Sequence, residues 1–438
     1  MMLGRYLYTL LFNLLIPLLV LSLLWRSRKN PAYGQRIDER FGYVRSTRPY
    51  TRCIWLHAVS VGEVMAARPL LERLLKDFPD VALWVTTTTP TGSDTVKRLF
   101  GDRVQHSYCP YDLPDSLARF FRRVKPEMLL VMETEIWPNL YKACANRNIP
   151  LLLVNARLSA RSYQGYARLG RLISDTLGLA SWIGARSQQD ADHFRQLGAK
   201  PEQVETCGNI KFDMQIPAGL DASAAALRQQ WGKRPVWVAG STHEGEDSAI
   251  LHVYQRLQQQ LPDLLLVLVP RHPERFATVR QLCVEAGFDT LTRSSGEPLK
   301  PSTQILLGDS MGELLLWYAL ADVAFIGGSL VPHGGHNPLE AAIWGVPVVS
   351  GKHTENFTDM FPGLYASGGA VQVDSATQLY DHTLNWLQDA AAREMAGQQA
   401  QAFAVSSQGA VNLVMQRIHL SLDQAQTHNV ETPQTAGC

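Results

Sequence analysis

The chain has 438 residues, enough for two domains with separate cores, and 46% apolar against 18% charged content fits a chain that folds over most of its length. Its 41 basic and 40 acidic side chains leave a net charge of +1, which excludes a general nucleic-acid binder. Six scattered cysteines (Cys53, Cys109, Cys144, Cys207, Cys283, Cys438) contain no C-x-x-C pair, so they offer neither a zinc site nor an evident disulfide framework and fit a reducing compartment.

The first element is apolar. Tyr6 to Trp25 carries no charge, and Asn13 is its only strongly polar side chain. Twenty helical residues rise about 30 Å, enough to cross a bilayer core, and Pro17 is tolerable there. Arg5 alone precedes the run, whereas Arg26, Arg28, Lys29, Arg36 and Arg40 follow it, which puts the C-terminal side in the cytoplasm. The run is long for a signal peptide and no A-x-A site follows. Residues 1–28 therefore read as an uncleaved anchor or interfacial helix.

Residues 29–213 alternate short apolar runs with helical patterns, as a parallel α/β domain does. Strands are expected at Cys53–Ala58, Val81–Thr86, Met128–Met132, Leu151–Asn155, Ser181–Ala185 and, more weakly, Val204–Gly208. A helix is expected over Val64–Lys76. Residues 214–234, with Pro217, Gly219 and Gly232 around an Ala/Gln-rich stretch, read as a linker and entry helix. Strand-like runs resume at Pro235–Ala239, Leu264–Val269, Thr303–Leu307, Val323–Ile326 and Val346–Val349. Residues 235–420 are thus a second doubly wound sheet with sites at its carboxyl ends. Residues 421–438 are polar and read as a disordered tail.

Several strand ends carry chemistry. HAVSVGE (His57–Glu63) puts Glu63 in the first turn of a helix, where a carboxylate is favoured by the dipole whether or not it is functional. Ser60 lacks a G-x-S-x-G setting, so a hydrolase elbow is unsupported. METEIWPN places Glu133 and Glu135 two apart, on one face if the strand continues, able to orient a hydroxyl or stabilise positive charge. GNIKFD offers Lys211 to an anion, with a solvated lysine as the plain alternative. VPRHPERF offers Pro270 and Arg271, whose planar fork suits a phosphate. In GDSMGEL, Met311, Gly312 and Glu313 expose backbone that can read a base edge.

The longest signal runs from Asp322 to Gly351: a strand, a glycine loop, then Asn337 as N-cap, Pro338 at the first helical position and a helix from Leu339 to Trp344. Such an arrangement aims N–H groups at an anion, and Glu340 one turn in can accept from ribose hydroxyls. It suggests a sugar-nucleotide pocket, with an ordinary βαβ crossover as the bland reading. His333 and His336 lack a third metal ligand in the sequence, and no D-x-D motif occurs, so no metal and no cofactor are expected.

Taken in order, HAVSVGE, TTTTPTGSD, METEIWPN, NARLSARSYQGY, GNIKFD, GSTHEGE, VPRHPERF, GDSMGEL and GGSLVPHGGHNPLEAA resemble the 3-deoxy-D-manno-octulosonic acid (Kdo) transferases of lipopolysaccharide biosynthesis, over essentially residues 1–420. One departure lies in GKHTENF, where relatives often carry proline in place of Lys352. The resemblance implies a glycosyltransferase B-type fold, two Rossmann-like domains facing a cleft. It implies metal-free transfer of Kdo from CMP-Kdo to the 6′-hydroxyl of a lipid A precursor at the inner membrane surface. It also implies that Glu63 is the proton acceptor and that Glu133 and Lys211 stabilise the transition state. Pro270, Arg271, Met311–Glu313 and Asn337–Glu340 would bind CMP. A sugar-nucleotide epimerase of similar fold would need no apolar N-terminal helix, an oxidoreductase would need a G-x-G-x-x-G after a strand, and a scaffold would need no base.

Overall fold

A computed structural model describes residues 2–214 and 216–431. The chain divides into two compact units, residues 1–213 with 408–438, and residues 214–407.

The first unit is built on a seven-stranded parallel sheet. Its strands are β1 (Cys53–His57), β2 (Ala82–Thr87), β3 (Gln105–Tyr108), β4 (Met128–Met132), β5 (Leu151–Ala156), β6 (Trp182–Ala185) and β7 (Val204–Thr206), in the order β3-β2-β1-β4-β5-β6-β7. The strands are apolar on both faces because helices cover both. Trp55, Leu129, Val131 and Leu153 join one core cluster. Their neighbours Ile54, Leu56, Leu130 and Val154 join the other. β3 escaped the sequence reading because QHSY is polar. Its Gln105 is buried and accepts from the N–H of Thr47 at 2.9 Å, and Ser107 Oγ accepts from Trp84 Nε1 at 2.9 Å.

The second unit repeats the plan with β8 (Val236–Thr242), β9 (Leu265–Pro270), β10 (Thr290–Thr292), β11 (Ile305–Leu307), β12 (Val323–Ile326), β13 (Val348–Ser350) and β14 (Ala370–Gln372), ordered β10-β11-β9-β8-β12-β13-β14. β10 and β14 are three-residue edge strands, too short to show a period in sequence. Helix Leu220–Trp231 belongs to this unit and stacks Trp231 on Trp317. In both sheets the strand order reverses beside the first strand, between β1 and β4 and between β8 and β12. Those are the switch points where the carboxyl ends leave a crevice for ligands.

Two sequence expectations need correction at the C-terminus. Residues 408–420 belong to the first unit, and one helix, Ala410–Glu431, runs through position 421 without a break. Val411, Val414, Met415, Ile418 and Leu422 are buried in the first unit's core, a 3.6-residue stripe hidden by the polar residues between them. Residues 432–438 lie outside the described residues.

Candidate active site

In the first unit, the β1 turn ends in Ser60, which caps helix Val61–Asp77. Glu63 stands in that helix's first turn, half-buried, and its Oε2 accepts from the N–H of Val59 at 2.7 Å. The turn is pinned from β2, where the N–H of Thr88 donates to Val59 O at 3.1 Å. Burial pushes the Glu63 carboxyl up to about 8. The Val59 hydrogen bond opposes this, the charges of Glu133 and Glu135 add to it, and Lys211 opposes it. Those four charged groups therefore form one electrostatic cluster at the β1–β4 switch point.

The expectation that Glu133 and Glu135 share a strand face fails. β4 stops at Met132, and Glu133 takes a left-handed backbone with φ +55°, held by its N–H donating to Val154 O at 2.9 Å. A non-glycine residue in that region stores strain that its surroundings must sustain. Glu135 is half-buried, and burial raises its carboxyl to about 7 against a hydrogen bond from Trp137.

Lys211 is exposed on a short turn, Ile210–Phe212. The sequence did not single out the residues that hold it. Asn155, at φ +56° on a β5 irregularity, accepts from the N–H of Ile210 at 3.1 Å, and Asn209 accepts from that of Lys211 at 3.1 Å. The C-terminal helix packs on both the Glu63 helix and the Lys211 turn. Asp213 ties that helix down by accepting from the N–H groups of Gly409 and Val411.

The second unit gathers most of its expected residues around β8, β9 and β12. Pro270 closes β9, and Arg271 follows, exposed, its N–H donating to Thr242 O at 3.0 Å. Glu340 is half-buried. Burial pushes it up to about 7, while Arg271 and a hydrogen bond from Asn337 hold it down. Asn337 Oδ1 also accepts from the N–H of Leu339 at 3.1 Å, but the N-cap position expected of Asn337 falls to Pro338, so Asn337 stands one residue before the cap and Pro338 is not the first helical residue. The helix beyond is a correction: it covers only Leu339–Ala342, since Pro347 and β13 follow closely, so its dipole is that of a single turn.

Met311 is exposed, Gly312 adopts φ +86°, and Glu313 is engaged elsewhere: it pairs with Arg293 at 2.9 Å and accepts from Ser310. Arg293 holds the Glu313 carboxyl below its ordinary value. Glu313 therefore fixes the loop, leaving Met311 and Gly312 to present backbone.

Sequence reasoning missed two features here. Glu246, fully buried, accepts from the N–H groups of His243, Gly328, Ser329 and Leu330 at 2.6–3.0 Å, and so folds the glycine loop around one carboxylate. His243 also joins His336 (Nε2 to Nε2 2.9 Å) and packs against His272 and His333. Burial and the neighbouring rings lower His243 and His336 to about 4. Among the described residues, no group of three His, Cys, Asp or Glu side chains is arranged to hold a metal ion.

Residues 35–214 match the family model described as 3-Deoxy-D-manno-octulosonic-acid transferase (kdotransferase). The chain is 42% identical to the 3-deoxy-D-manno-octulosonic acid transferase of Haemophilus influenzae over 94% of its own length and 97% of the relative's. It is 36% identical to that of Bordetella pertussis over 93% and 97%. The C-terminal CMP-Kdo binding domain of WaaA from Acinetobacter baumannii is 38% identical, covering 43% of this chain and 98% of that one, with a TM-score of 0.42. A UDP-GlcNAc 2-epimerase from Neisseria meningitidis, 15% identical with a TM-score of 0.51 over 84% of this chain and 99% of that one, shares the fold alone.

Proposed function

The chain belongs to the Kdo transferases, which transfer Kdo from CMP-Kdo in lipopolysaccharide biosynthesis, and from that premise we propose how its residues divide the work. The acceptor is the 6′-hydroxyl of a tetraacylated lipid A precursor, to which one or two Kdo residues are added. The observation that carries this reading is Glu63: a half-buried carboxylate at a helix start, beside two further acids and Lys211, with its proton affinity raised toward neutral pH. A sugar hydroxyl is a poor nucleophile, so a base must take its proton as the new bond forms.

In the step, the hydroxyl oxygen bonds to the anomeric carbon of Kdo and its proton passes to Glu63. The bond from that carbon to the phosphate oxygen breaks, and CMP leaves with the electron pair. A single displacement inverts the anomeric centre. Glu133 and Lys211 balance the charge that develops on the sugar and on its carboxylate. In the second unit, Pro270, Arg271, Met311, Gly312 and Asn337–Glu340 hold CMP, with Glu313 setting the loop that presents Met311 and Gly312. The Arg271 guanidinium meets the phosphate charge without a metal, and Glu340 accepts from the ribose. The apolar N-terminal helix holds the enzyme at the inner membrane, with both units on the cytoplasmic side, where anionic lipid attracts the basic residues after Trp25.

The test is mass spectrometry of the lipid after incubation with in-situ-generated CMP-Kdo, a tetraacylated precursor and EDTA. Kdo increments support the reading and count the transfers. A lipid of unchanged mass, from protein that still binds CMP, would refute the assigned acceptor.

A further inference from the structure

The uniform apolar composition of the N-terminal helix, Met2–Ser27, hides two faces. Tyr8, Thr9, Phe12, Ile16, Val20 and Leu23 are partly covered. Leu3, Leu7, Leu11, Leu14, Leu18 and Leu21 are between 51% and 85% exposed. At about 100° per residue these rows lie roughly 180° apart.

The covered row is fastened by polar groups. The Tyr8 hydroxyl hydrogen-bonds to the Asp112 carboxylate, and Thr9 Oγ1 accepts from Asn139 Nδ2 at 2.9 Å. Asp112 is itself buried and accepts from the N–H groups of Asn139 (3.0 Å) and Leu140 (2.7 Å), at the start of the helix that follows Glu133 and Glu135. Phe12 packs edge-on against Tyr111. Beyond the other end, the segment that follows the helix is fastened to the same unit. Arg26 lies over Tyr33, Arg36 donates to Ser93 Oγ at 3.0 Å, and the buried Arg40 donates to Thr88 O at 2.8 Å.

A helix that spans a bilayer puts its first and last turns about 30 Å apart on opposite faces of the membrane. Here the first turns are docked on one folded unit, and the segment that leaves the last turn is tied to that same unit. Aromatic and basic residues flank the leucine row at either end, Arg5 over Tyr6 and Lys29 over Trp25, as at the headgroup level of an anionic lipid surface.

We propose that this helix lies in the plane of one leaflet, its leucine row in the acyl region and its opposite face docked on the first unit beside the loop carrying Glu133 and Glu135. The proposal rests on the membrane location given above, and it sets the depth at which a lipid-borne hydroxyl meets that loop.

The experiment places single spin labels at Leu7→Cys, Leu14→Cys and Leu21→Cys of the full chain, with Cys438 replaced by serine. The other five cysteines are buried. Depth is read from oxygen and nickel relaxation in phosphatidylethanolamine–phosphatidylglycerol vesicles. The expected result is three similar, shallow depths of about 5–10 Å. A Leu14 label about 10 Å deeper than the other two would mean a spanning helix and overturn the proposal. Labels shielded from lipid at all three sites, as a second copy would shield them, would overturn it too. Neither depth outcome depends on turnover, so failure here is separable from failure of the assigned reaction. For positioning, Tyr8→Phe with Thr9→Val should raise the KM for vesicle-borne acceptor severalfold and leave CMP affinity unchanged. An unchanged KM would remove the positioning role.

Discussion

Glu63 faces a conflict between chemistry and stability. Its carboxyl is raised to about 8 in the folded protein, so with Glu63 as the proposed base the ionised form is scarce at neutral pH and kcat/KM should climb with pH through that value. Glu135→Gln removes one of the like charges that raise it and should move this limb to lower pH. An unmoved limb would show that the two acids are not coupled. Glu63→Gln should lower turnover by about 10²–10⁴-fold while CMP still binds, a result read from initial rates and calorimetry. The stability sign follows from linkage. A carboxyl with a raised folded-state pKa contributes most below its unfolded value and loses that contribution as pH rises through about 8. Glu63→Gln should therefore be more stable than the parent at about pH 8.5 in urea titrations, with the advantage gone at about pH 4. The placement of Glu63 in the first turn of a helix after a strand and a turn was legible in sequence. Its environment was not. The groups that raise its proton affinity arrive from the loop after β4, the opposing lysine comes from the turn after β7, and the left-handed bend at Glu133 has no signature in a glutamate.

At the scale of elements, strands buried on both faces announced themselves as apolar runs, and short stretches of that kind recovered most of both sheets. What escaped were polar or three-residue edge strands and the true length of the helix after Asn337. Glycine marks one tight junction of the second sheet. A Cβ on Gly327 would lie 2.2 Å from Ser241 O, where β12 leaves the sheet against a residue already at φ +57°. Gly327→Ala should cost about 1–3 kcal/mol, measured by urea unfolding, and weaken CMP binding through the loop that Glu246 organises. Wild-type stability in that variant would mean that the β8–β12 switch point yields more easily than its packing implies.

For the whole molecule, the boundary near residue 213 was readable from the change in composition, but the return of the chain was not, because sequence proximity suggested that residues 408–420 belong with what precedes them. The structure makes the first unit discontinuous. Residues 214–407 as a fragment should fold cooperatively, whereas a chain ending at 407 should lose the first unit's cooperative transition, as calorimetry of the two polypeptides would reveal. Two intact transitions in the truncated chain would show that helix Ala410–Glu431 is dispensable. That helix buttresses both the Glu63 helix and the Lys211 turn. A chain synthesised only as far as residue 407 would thus carry its leucine row and its whole second unit without the helix that braces the acid cluster, so order at that cluster waits on residues almost two hundred positions further along the chain.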